Sequence, residues 1–350
     1  MLDGEYIRTS WGFWNIASLQ DYALEDGIDG NCEYYRLPIS LHLFSYADGS
    51  MSWFLPKNYF VRRYCEVIEI KTHSSRKIRC TADSTIITID ENLNFKKVLP
   101  KIGLSIPRYT PGHNANAQDH DITLPFRDER ENKYLWKSCL TLNHDLGWLI
   151  GIYIGDGWTG LKSRNNAVIL SSVYPDIVEE VKRIVLSYLL EGDVTFFKQK
   201  YPHSFRGKPS YSEKLIFSSR SWATFIASCI GHGAANKHLP EFWQVAGEGF
   251  RWGLLAGLID SDGTVSINRT RLQPNPQILF RYDTISETLA QEVAELGHSL
   301  GLVGTIGFVK TPLGDDAYIV TFNKDSIDII SRKLILRTRK YNDILCGFKM

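Results

Sequence analysis

Two aspartates with matching surroundings stand 106 residues apart in this chain, at Asp156 and Asp262. Each lies at the end of a short apolar segment, residues 149–157 and 255–263, and a glycine follows each of them directly. Carboxylate oxygens are preferred ligands of hard divalent cations, and a metal-activated water can hydrolyse a phosphodiester. If the fold brings these aspartates together, they could bind a divalent cation and support that chemistry.

Glycines recur every four residues within and just before both apolar segments. They are Gly147, Gly151 and Gly155 in the first copy, and Gly253 and Gly257 in the second. Each helical glycine costs about 1 kcal/mol relative to alanine, so their retention requires a reason. A stripe of glycines lets two helix backbones approach closely. The spacing therefore predicts that the two segments are helices packed on each other, with Asp156 and Asp262 at adjacent C-terminal ends.

The helix ends themselves favour a bound cation. A helix C-terminus carries partial negative charge, so a carboxylate there is disfavoured by a few tenths to about 1 kcal/mol. Two neighbouring carboxylates also repel, and a divalent cation would offset both costs. We expect Gly157 and Gly263 to end the helices in the left-handed region. The alternative is that each Asp-Gly pair is only a turn after a core helix, and the matched copies favour the cation site.

Both copies continue with the same order of elements, α-β-β-α-β-β-α, in which the number of strands is uncertain by one or two. The predicted elements are strands at 167–171 and 277–281, helices at 175–190 and 286–300, strands at 214–218 and 318–322, and closing helices at 222–230 and 326–335. Apolar residues at helical spacing support the helix at 175–190. The sequence thus predicts an α+β fold with two similar halves, residues 141–245 and 246–350.

Residues 255–263 read Leu-Ala-Gly-Leu-Ile-Asp-Ser-Asp-Gly, one position away from the LAGLIDADG signature. Residues 149–157 are a more diverged copy that keeps Gly151, Asp156 and Gly157. With both copies, residues 142–345 resemble a LAGLIDADG homing endonuclease. The resemblance implies a monomer whose two halves form a saddle of curved sheets on the DNA major groove.

The same resemblance implies a site and an activity. Mg²⁺, for which Mn²⁺ substitutes, would lie between two scissile phosphates, and the enzyme would make a staggered double-strand break at a long target site. The expected metal ligands are Asp156 and Asp262, together with Gly155 and Ser261. Asp260 receives no catalytic role, because Ile154 stands at its place in the first copy.

Two lysines are candidate catalytic residues. Residues 236–242 resemble the Lys-x-x-Pro block of inteins that carry this nuclease, which assigns Lys237 to the catalytic site. Lys237 follows Asp156 by 81 residues and Lys340 follows Asp262 by 78, so spacing alone suggests Lys340 as the counterpart. Two alternatives remain open at this stage. Lys340 could belong to a basic tail on the DNA backbone, or its place could be taken by one of three other residues: Lys333, Arg337 or Arg339.

Residues 1–110 are predicted to be rich in strands, for example at 66–70 and 84–89, and residues 111–140 to be a linker. Residues 79–88 resemble the strand of an intein Hint domain that bears a Thr-x-x-His block, but Ser84 replaces the histidine. Met1 stands where the nucleophile would be, and the final residues lack His-Asn. We therefore expect a degenerate Hint-like domain that helps to bind DNA and does not splice. The alternative is a plain β-rich accessory domain.

The charge pattern indicates where DNA could bind, although the net charge is only +1. Residues 55–108 carry a net charge of +6 and residues 194–222 a net charge of +5. Such basic segments are typical of surfaces that meet phosphates, or else are solvated strand faces. The candidate DNA-binding residues are Arg62, Arg63, Arg76, Lys77, Lys162, Arg164, Lys198, Lys200, Arg206, Lys208, Lys214, Arg269, Arg271, Arg281 and Lys310.

Several classes of protein are disfavoured. No apolar stretch approaches the roughly 20 residues of a membrane helix, and the first residues do not resemble a signal peptide. Six cysteines without a Cys-x-x-Cys pair indicate neither a zinc site nor a disulfide framework. We expect a protein that is not secreted and acts in the cytoplasm, or wherever its target DNA resides. The alternatives to an endonuclease are a non-cleaving nucleic-acid binder, such as an RNA maturase or transcription regulator, and a splicing intein.

Overall fold

The structure is a computed structural model of the whole chain, and its described part covers most of the two predicted halves. The described residues are 6–9, 12–15, 17–47, 50–56, 59–62, 65–72, 77–90, 92, 95–104, 121–123, 139–160, 167–172, 174–188, 195–205, 208–218, 220–244, 246–268, 277–310 and 316–338. The chain divides into two compact units, Met1–Tyr109 and Thr110–Met350. None of the helices in these ranges combines the length and apolar character needed to span a membrane.

The first unit consists mainly of antiparallel strands. They are β1 (Tyr6–Thr9), β2 (Gly12–Asn15), β3 (Leu24–Asp29), β4 (Cys32–Arg36), β5 (Leu43–Ala47), β6 (Ser50–Phe54), β7 (Tyr59–Arg62), β8 (Val67–Lys71), β9 (Lys77–Thr81), β10 (Ile86–Ile89) and β11 (Phe95–Val98). They form sheets in the orders β2-β1-β5-β6, β3-β4-β7, β8-β9 and β10-β11. Leu19 and Leu41 are fully buried beside Tyr59. The prediction of a strand-rich segment over 1–110 is confirmed for the described residues.

The second unit contains two copies of the order α-β-β-α-β-β-α. The first copy is α1 (His144–Asp156), β14 (Gly157–Gly160), β15 (Ala167–Ser172), α2 (Pro175–Tyr188), β16 (Thr195–Phe205), β17 (Lys208–Ser218) and α3 (Arg220–Ile230). The second is α4 (Glu248–Asp262), β18 (Gly263–Asn268), β19 (Gln277–Thr284), α5 (Glu287–Ser299), β20 (Gly304–Lys310), β21 (Asp316–Phe322) and α6 (Lys324–Lys333). The predicted order of elements is therefore confirmed, with two strands before and two after the middle helix of each copy.

The segment before the first copy is not uniformly irregular. Strand β12 (Asp121–Thr123) pairs antiparallel with β13 (Cys139–Thr141). The stretch predicted as a linker thus contains a strand. Its low apolar content concealed this pairing from sequence reasoning, because such short strands depend on their partner.

The helices begin where side chains can accept hydrogen bonds from the first free amides. Asn143 caps α1, Ser286 caps α5 and Asn323 caps α6, each accepting from the amide three residues later. Helices α2 and α5 place apolar residues on one face, which packs against the sheet of the same copy. This local signal explains why both helices were placed correctly from the sequence.

Each copy has a four-stranded sheet with the same strand order, β14-β15-β17-β16 in the first and β18-β19-β21-β20 in the second. In both sheets the first strand begins directly after the aspartate that ends α1 or α4. The face that carries Leu170, Leu215 and Phe217 is buried against the helices, and the opposite face is open. The order of elements thus places one carboxylate at the start of each sheet.

Helices α1 and α4 pack on each other through their glycines, as predicted. A Cβ atom added to Gly147 or Gly151 would collide with the backbone of α4, and one added to Gly253 or Gly257 would collide with the backbone of α1. The two helices are apolar almost throughout and lie in a single core shared by both copies. Their backbones are too close for any larger residue at these positions.

Candidate functional site

The paired helices bring their C-terminal ends together. Asp156 is the last residue of α1 and Asp262 the last residue of α4. A Cβ atom added to Gly155 would lie 3.2 Å from Oδ2 of Asp262. The carboxylate of the second copy therefore lies directly beside the residue that precedes Asp156.

The glycines after the aspartates do not adopt the predicted left-handed conformation. Gly157 has φ −107° and ψ 156°, and Gly263 has φ −82° and ψ 160°, so both are extended. That prediction is wrong, because the chain passes from each helix directly into a strand. Glycine is required at both positions because there is no room for a side chain. A Cβ at Gly157 would collide with Tyr153, and a Cβ at Gly263 would collide with the backbone of Ile259.

The surroundings of Asp262 disfavour its charged form. The side chain is open to solvent, yet the protein around it raises its pKa through desolvation, an effect that Lys237 opposes and Asp283 reinforces. The pKa of the Tyr282 hydroxyl is raised first by burial and then by the charges of Asp262 and Asp156. Both carboxylates therefore act on the same small region, which is the condition for a shared cation.

Lys237 lies at the end of α1 and is only 8% exposed. Its Nζ donates to the carbonyl oxygens of Ile154 at 2.5 Å and Gly157 at 2.8 Å, with Tyr153 and Gly155 at 3.2 and 3.3 Å. Desolvation lowers the pKa of Lys237, while Asp262 and Asp156 raise it. Sequence reasoning placed this lysine near the aspartates but did not foresee that its ammonium satisfies helix-end carbonyls.

A cavity of 470 Å³ opens beside Asp156. Its walls include Trp158, Ser171, His232 and Lys237. Trp158 is 39% exposed, and the ammonium of Lys214 lies 4.7 Å from the centre of its ring. The cavity is thus bordered by charged and aromatic groups that could meet a phosphate or a base.

Asp260 is a structural residue that the motif alone did not explain. It is 1% exposed and accepts hydrogen bonds from Trp148 Nε1 at 2.9 Å, from the Arg337 amide at 2.9 Å and from Thr338 Oγ1 at 2.7 Å. Burial raises its pKa despite these donors. Asp260 therefore ties α1 of the first copy to the segment that follows α6 in the second.

Arg337 strengthens the same connection. Its guanidinium forms ion pairs with Asp145 and Glu180 of the first copy and lies 4.8 Å from the ring centre of Trp148. Arg337 was one alternative to Lys340 as the counterpart of Lys237. Its contacts show instead that it holds the two copies together. No sequence signal identified this role, since its partners are about 150 to 190 residues away in the chain.

The donor groups at the two helix ends fit a hard divalent cation. They comprise two carboxylates, which hold negative charge where helix dipoles already disfavour it, and adjacent backbone oxygens of Gly155 and Ser261. No cluster of three or more His, Cys, Asp or Glu side chains suited to a metal occurs among the described residues. Mg²⁺ commonly takes only one or two carboxylates and completes its shell with water and phosphate, so this small set is sufficient.

Strand register decides where the described basic candidates lie. Lys214 pairs with Ser171, and Arg281 pairs with Thr264 and Thr321, which places both on the open faces of their sheets. Lys198 pairs with the buried Leu215, so it lies on the helix-covered face, where it forms ion pairs with Glu179 and Glu213.

The remaining candidates are distributed as follows. Lys310 pairs with Asp316 at the end of β20 and forms an ion pair with it. In the first unit, Arg62 forms an ion pair with Asp83, and Lys77 forms one with Glu69. Lys200 and Lys208 lie in strands β16 and β17. Outside the described residues lie Arg63, Arg76, Lys162, Arg164, Arg206, Arg269, Arg271 and Lys340.

Comparison with known proteins finds a similarity to one family within the second copy. Residues 250–341 match the family model of a LAGLIDADG-like domain. The DNA polymerase of Thermococcus litoralis is 26% identical over 200 residues, which cover 55% of this chain and 10% of that protein. The ATP-dependent DNA helicase Hel308 of Thermococcus kodakarensis is 29% identical over 173 residues, which cover 48% of this chain and 14% of that protein.

Among solved structures, the homing endonuclease I-DmoI in complex with DNA and Mn is 14% identical to this chain, with a TM-score of 0.39. The match covers 55% of this chain and 97% of that one. The chain spans only between a tenth and a seventh of the length of the two curated relatives named above. The similarity to a LAGLIDADG-like domain thus covers residues 250–341 and includes Asp262.

Proposed function

We propose that this protein is a site-specific DNA endonuclease of the homing type, which makes a staggered double-strand break by metal-assisted hydrolysis. One observation carries the proposal. Two matched helices, α1 and α4, pack through glycines so that Asp156 and Asp262 end side by side, at the start of the two sheets. A protein that only bound nucleic acid would not require both carboxylates there.

In this proposal Asp156 and Asp262 hold Mg²⁺, for which Mn²⁺ substitutes, with help from the backbone oxygens of Gly155 and Ser261. When bound, the ion would supply an activated water and stabilise the leaving oxygen. The chain's own contribution is to fix the two carboxylates. Because the α1–α4 contact is backbone to backbone, their separation is set by rigid helices rather than by mobile side chains.

Lys237 has two tasks in this proposal. Its ammonium satisfies the carbonyls at the end of α1 and so fixes the direction in which Asp156 points. Its positive charge, close to both aspartates, would stabilise charge that develops on a phosphate during cleavage. Lys340 is proposed as its counterpart in the second copy.

DNA would lie along the open faces of the two sheets. Lys214 and Arg281 point there by register and would contact phosphates or base edges. Two such sheets in one chain would let a monomer read a long duplex site. The β-rich first unit is proposed to be a degenerate Hint-like domain that adds affinity through its basic segment.

The activities named for the two curated relatives are not carried over to this chain. DNA polymerase and helicase describe proteins of which the matched segment is 10% and 14%. Neither polymerase nor helicase activity is proposed here. A short segment shared by two otherwise different DNA enzymes fits a separate module within each of them.

The decisive experiment is selection of cleavage sites from a randomised plasmid library incubated with the full chain and Mg²⁺. We expect a single long target sequence, cut in both strands with a stagger. Mn²⁺ should support cutting, whereas Ca²⁺ should support binding alone. Undiminished cleavage in excess EDTA would exclude the metal, and binding without cleavage in Mg²⁺ and Mn²⁺ would favour a non-cleaving binder.

A further inference from the structure

The short segment that carries Lys237 touches both copies of the repeat. This bridging segment, residues 237–240, follows α3 of the first copy and precedes α4 of the second. Its Leu239 is 1% exposed, and the amide of His238 donates to the carbonyl oxygen of Ile230 at 3.0 Å. On one side, therefore, the segment is fixed to the first copy.

On the other side, the cap of α5 and one residue within that helix hold the bridging segment. Ser286, which is 1% exposed, donates from Oγ to the carbonyl oxygen of Lys237 at 2.8 Å. Glu292 accepts a hydrogen bond from the amide of Leu239 at 2.6 Å. Both ends of the lysine are thus fixed, its backbone by the second copy and its ammonium by the end of α1 in the first.

Ser286 also has a local task, which a test must separate from the contact with Lys237. Its Oγ accepts from the Leu289 amide at 3.2 Å and so caps α5. Its own amide donates to Thr284 Oγ1 at 3.1 Å, and Thr284 is the last residue of β19, the strand that carries Arg281. A continuous chain of contacts therefore leads from the sheet of the second copy to the helix end that bears Asp156.

We propose that Ser286 and Glu292 are positioning residues, by which the second copy holds Lys237 at the end of α1 and thereby orients Asp156. The effect on chemistry rests on the proposed endonuclease function. In the first copy the residue before α2 is Tyr174 rather than a serine, and Glu180 of α2 pairs with Arg337 beyond α6, so each copy holds the other through different contacts.

The first test does not depend on cleavage. Hydrogen–deuterium exchange is measured on the full chain for Ser286→Ala and for Asn323→Ala, which removes the matched cap of α6. We expect Ser286→Ala to speed exchange at residues 237–239 and at the end of α1 by about fivefold, as for the loss of one net hydrogen bond. Asn323→Ala should leave these amides unchanged, and Ser286→Thr should restore protection. Equal exchange in both alanine variants would overturn the proposal.

The second test follows each DNA strand separately, on the site found by library selection. Ser286→Ala should slow the cutting of one strand more than the other, and Lys237→Met should set the limit of that loss. Asn323→Ala should slow both strands alike or neither. Equal slowing of both strands by Ser286→Ala would reduce Ser286 to a helix cap. If the wild-type chain cuts no DNA, the proposed function fails, and the exchange experiment still decides whether the second copy positions Lys237.

Glu292 supplies an independent variant if Ser286→Ala folds poorly. Glu292→Leu removes the acceptor for the Leu239 amide, whereas Glu292→Gln keeps an oxygen there. We expect the leucine variant to reproduce the faster exchange and the strand bias, and the glutamine variant to resemble wild type. Identical behaviour of the two would contradict a positioning role for Glu292.

Discussion

The two copies of the repeat share element order, strand order and the position of the carboxylate, yet the described contacts at their helix ends differ. At the end of α1 the carbonyl oxygens accept hydrogen bonds from the ammonium of Lys237, which lies outside the helix. At the end of α4 the hydroxyl of Ser261 donates within the helix to the carbonyls of Gly257 and Leu258. Lys237 thus meets carbonyls near a helix end, where intrahelical partners run out, whereas Ser261 adds a second bond to carbonyls that the amides of α4 already use.

The difference follows from the close contact between the helices. Gly155 is the counterpart of Ser261, and a Cβ at Gly155 would collide with the Ser261 side chain. Two matched positions that face each other this closely cannot both carry a side chain. The copy that keeps glycine therefore lacks the contacts that Ser261 makes in the other. A symmetric fold thus imposes an asymmetric sequence at its centre.

The largest expected effect tests what the copies share. Asp156→Asn or Asp262→Asn should each reduce double-strand cleavage by more than about 100-fold, because loss of a metal ligand costs at least as much as loss of the groups that orient it. DNA binding should remain, since asparagine preserves the shape of the helix end. Conversion of supercoiled plasmid to linear form measures double-strand cleavage, and a gel shift measures DNA binding. Near-normal cutting by either variant would remove that aspartate from the site.

The next effect concerns a residue that only the second copy has. Asp260→Ala should destabilise the protein by about 1–3 kcal/mol for each buried donor, Trp148 and Thr338, that it leaves without an acceptor. Ile154→Val, at the matching place in α1, should cost only about 0.5–1.5 kcal/mol. Urea unfolding gives both values. Equal losses would mean that Asp260 does not hold the copies together.

A swap of the facing pair tests the steric argument directly. Gly155→Ser alone should destabilise by about 1–3 kcal/mol through overpacking. Adding Ser261→Gly should recover most of that loss, because the new serine side chain on α1 can then occupy the volume that the Ser261 side chain leaves. The four proteins form a double-mutant cycle. An interaction energy near zero would show that the two positions do not compete for space.

The stability that Glu292 of α5 contributes should depend on pH. Desolvation and two neighbouring carboxylates, Glu295 and Glu241, raise the pKa of Glu292 to about 8. Between its usual pKa near 4.5 and about 8, the folded protein keeps a proton that the unfolded chain has released. Stability should therefore fall as pH rises through this window.

Glu292→Gln should remove that slope, so the stability of the variant relative to wild type should grow from pH 5 to about 8 and then level off. Other titrating groups are the same in both proteins and cancel in the difference. Urea unfolding of both proteins across this pH range measures the difference in their free energies of unfolding. A constant difference would show that Glu292 titrates as it does in the unfolded chain.

The smallest effect compares two lysines on opposite faces of one sheet. Lys214→Gln should lower the slope of log affinity against log salt by about 0.9 if it contacts one phosphate. Lys198→Gln should leave the slope unchanged, because Lys198 lies on the helix-covered face with Glu179 and Glu213. Binding titrations in increasing salt report both. A fall of equal size for both lysines would contradict the assignment of DNA to the open face.

The sequence by itself determined the order of elements, the packing of the two glycine-bearing helices and the position of Asp156 and Asp262 at their ends. These features depend on local periodicity and on a repeat, both of which are written along the chain. The resemblance of residues 236–242 to the Lys-x-x-Pro block also pointed Lys237 to this region.

Only the tertiary structure decided the remaining features. Asp260 and Arg337 act through partners far away in the chain, so no local pattern reveals them. The faces of Lys198 and Lys214 depend on strand register, in which a shift of one residue reverses the face. The extended conformation of Gly157 and Gly263 follows from the strands that begin there. Each of these features is set by what a residue meets in space, which its sequence neighbours do not specify.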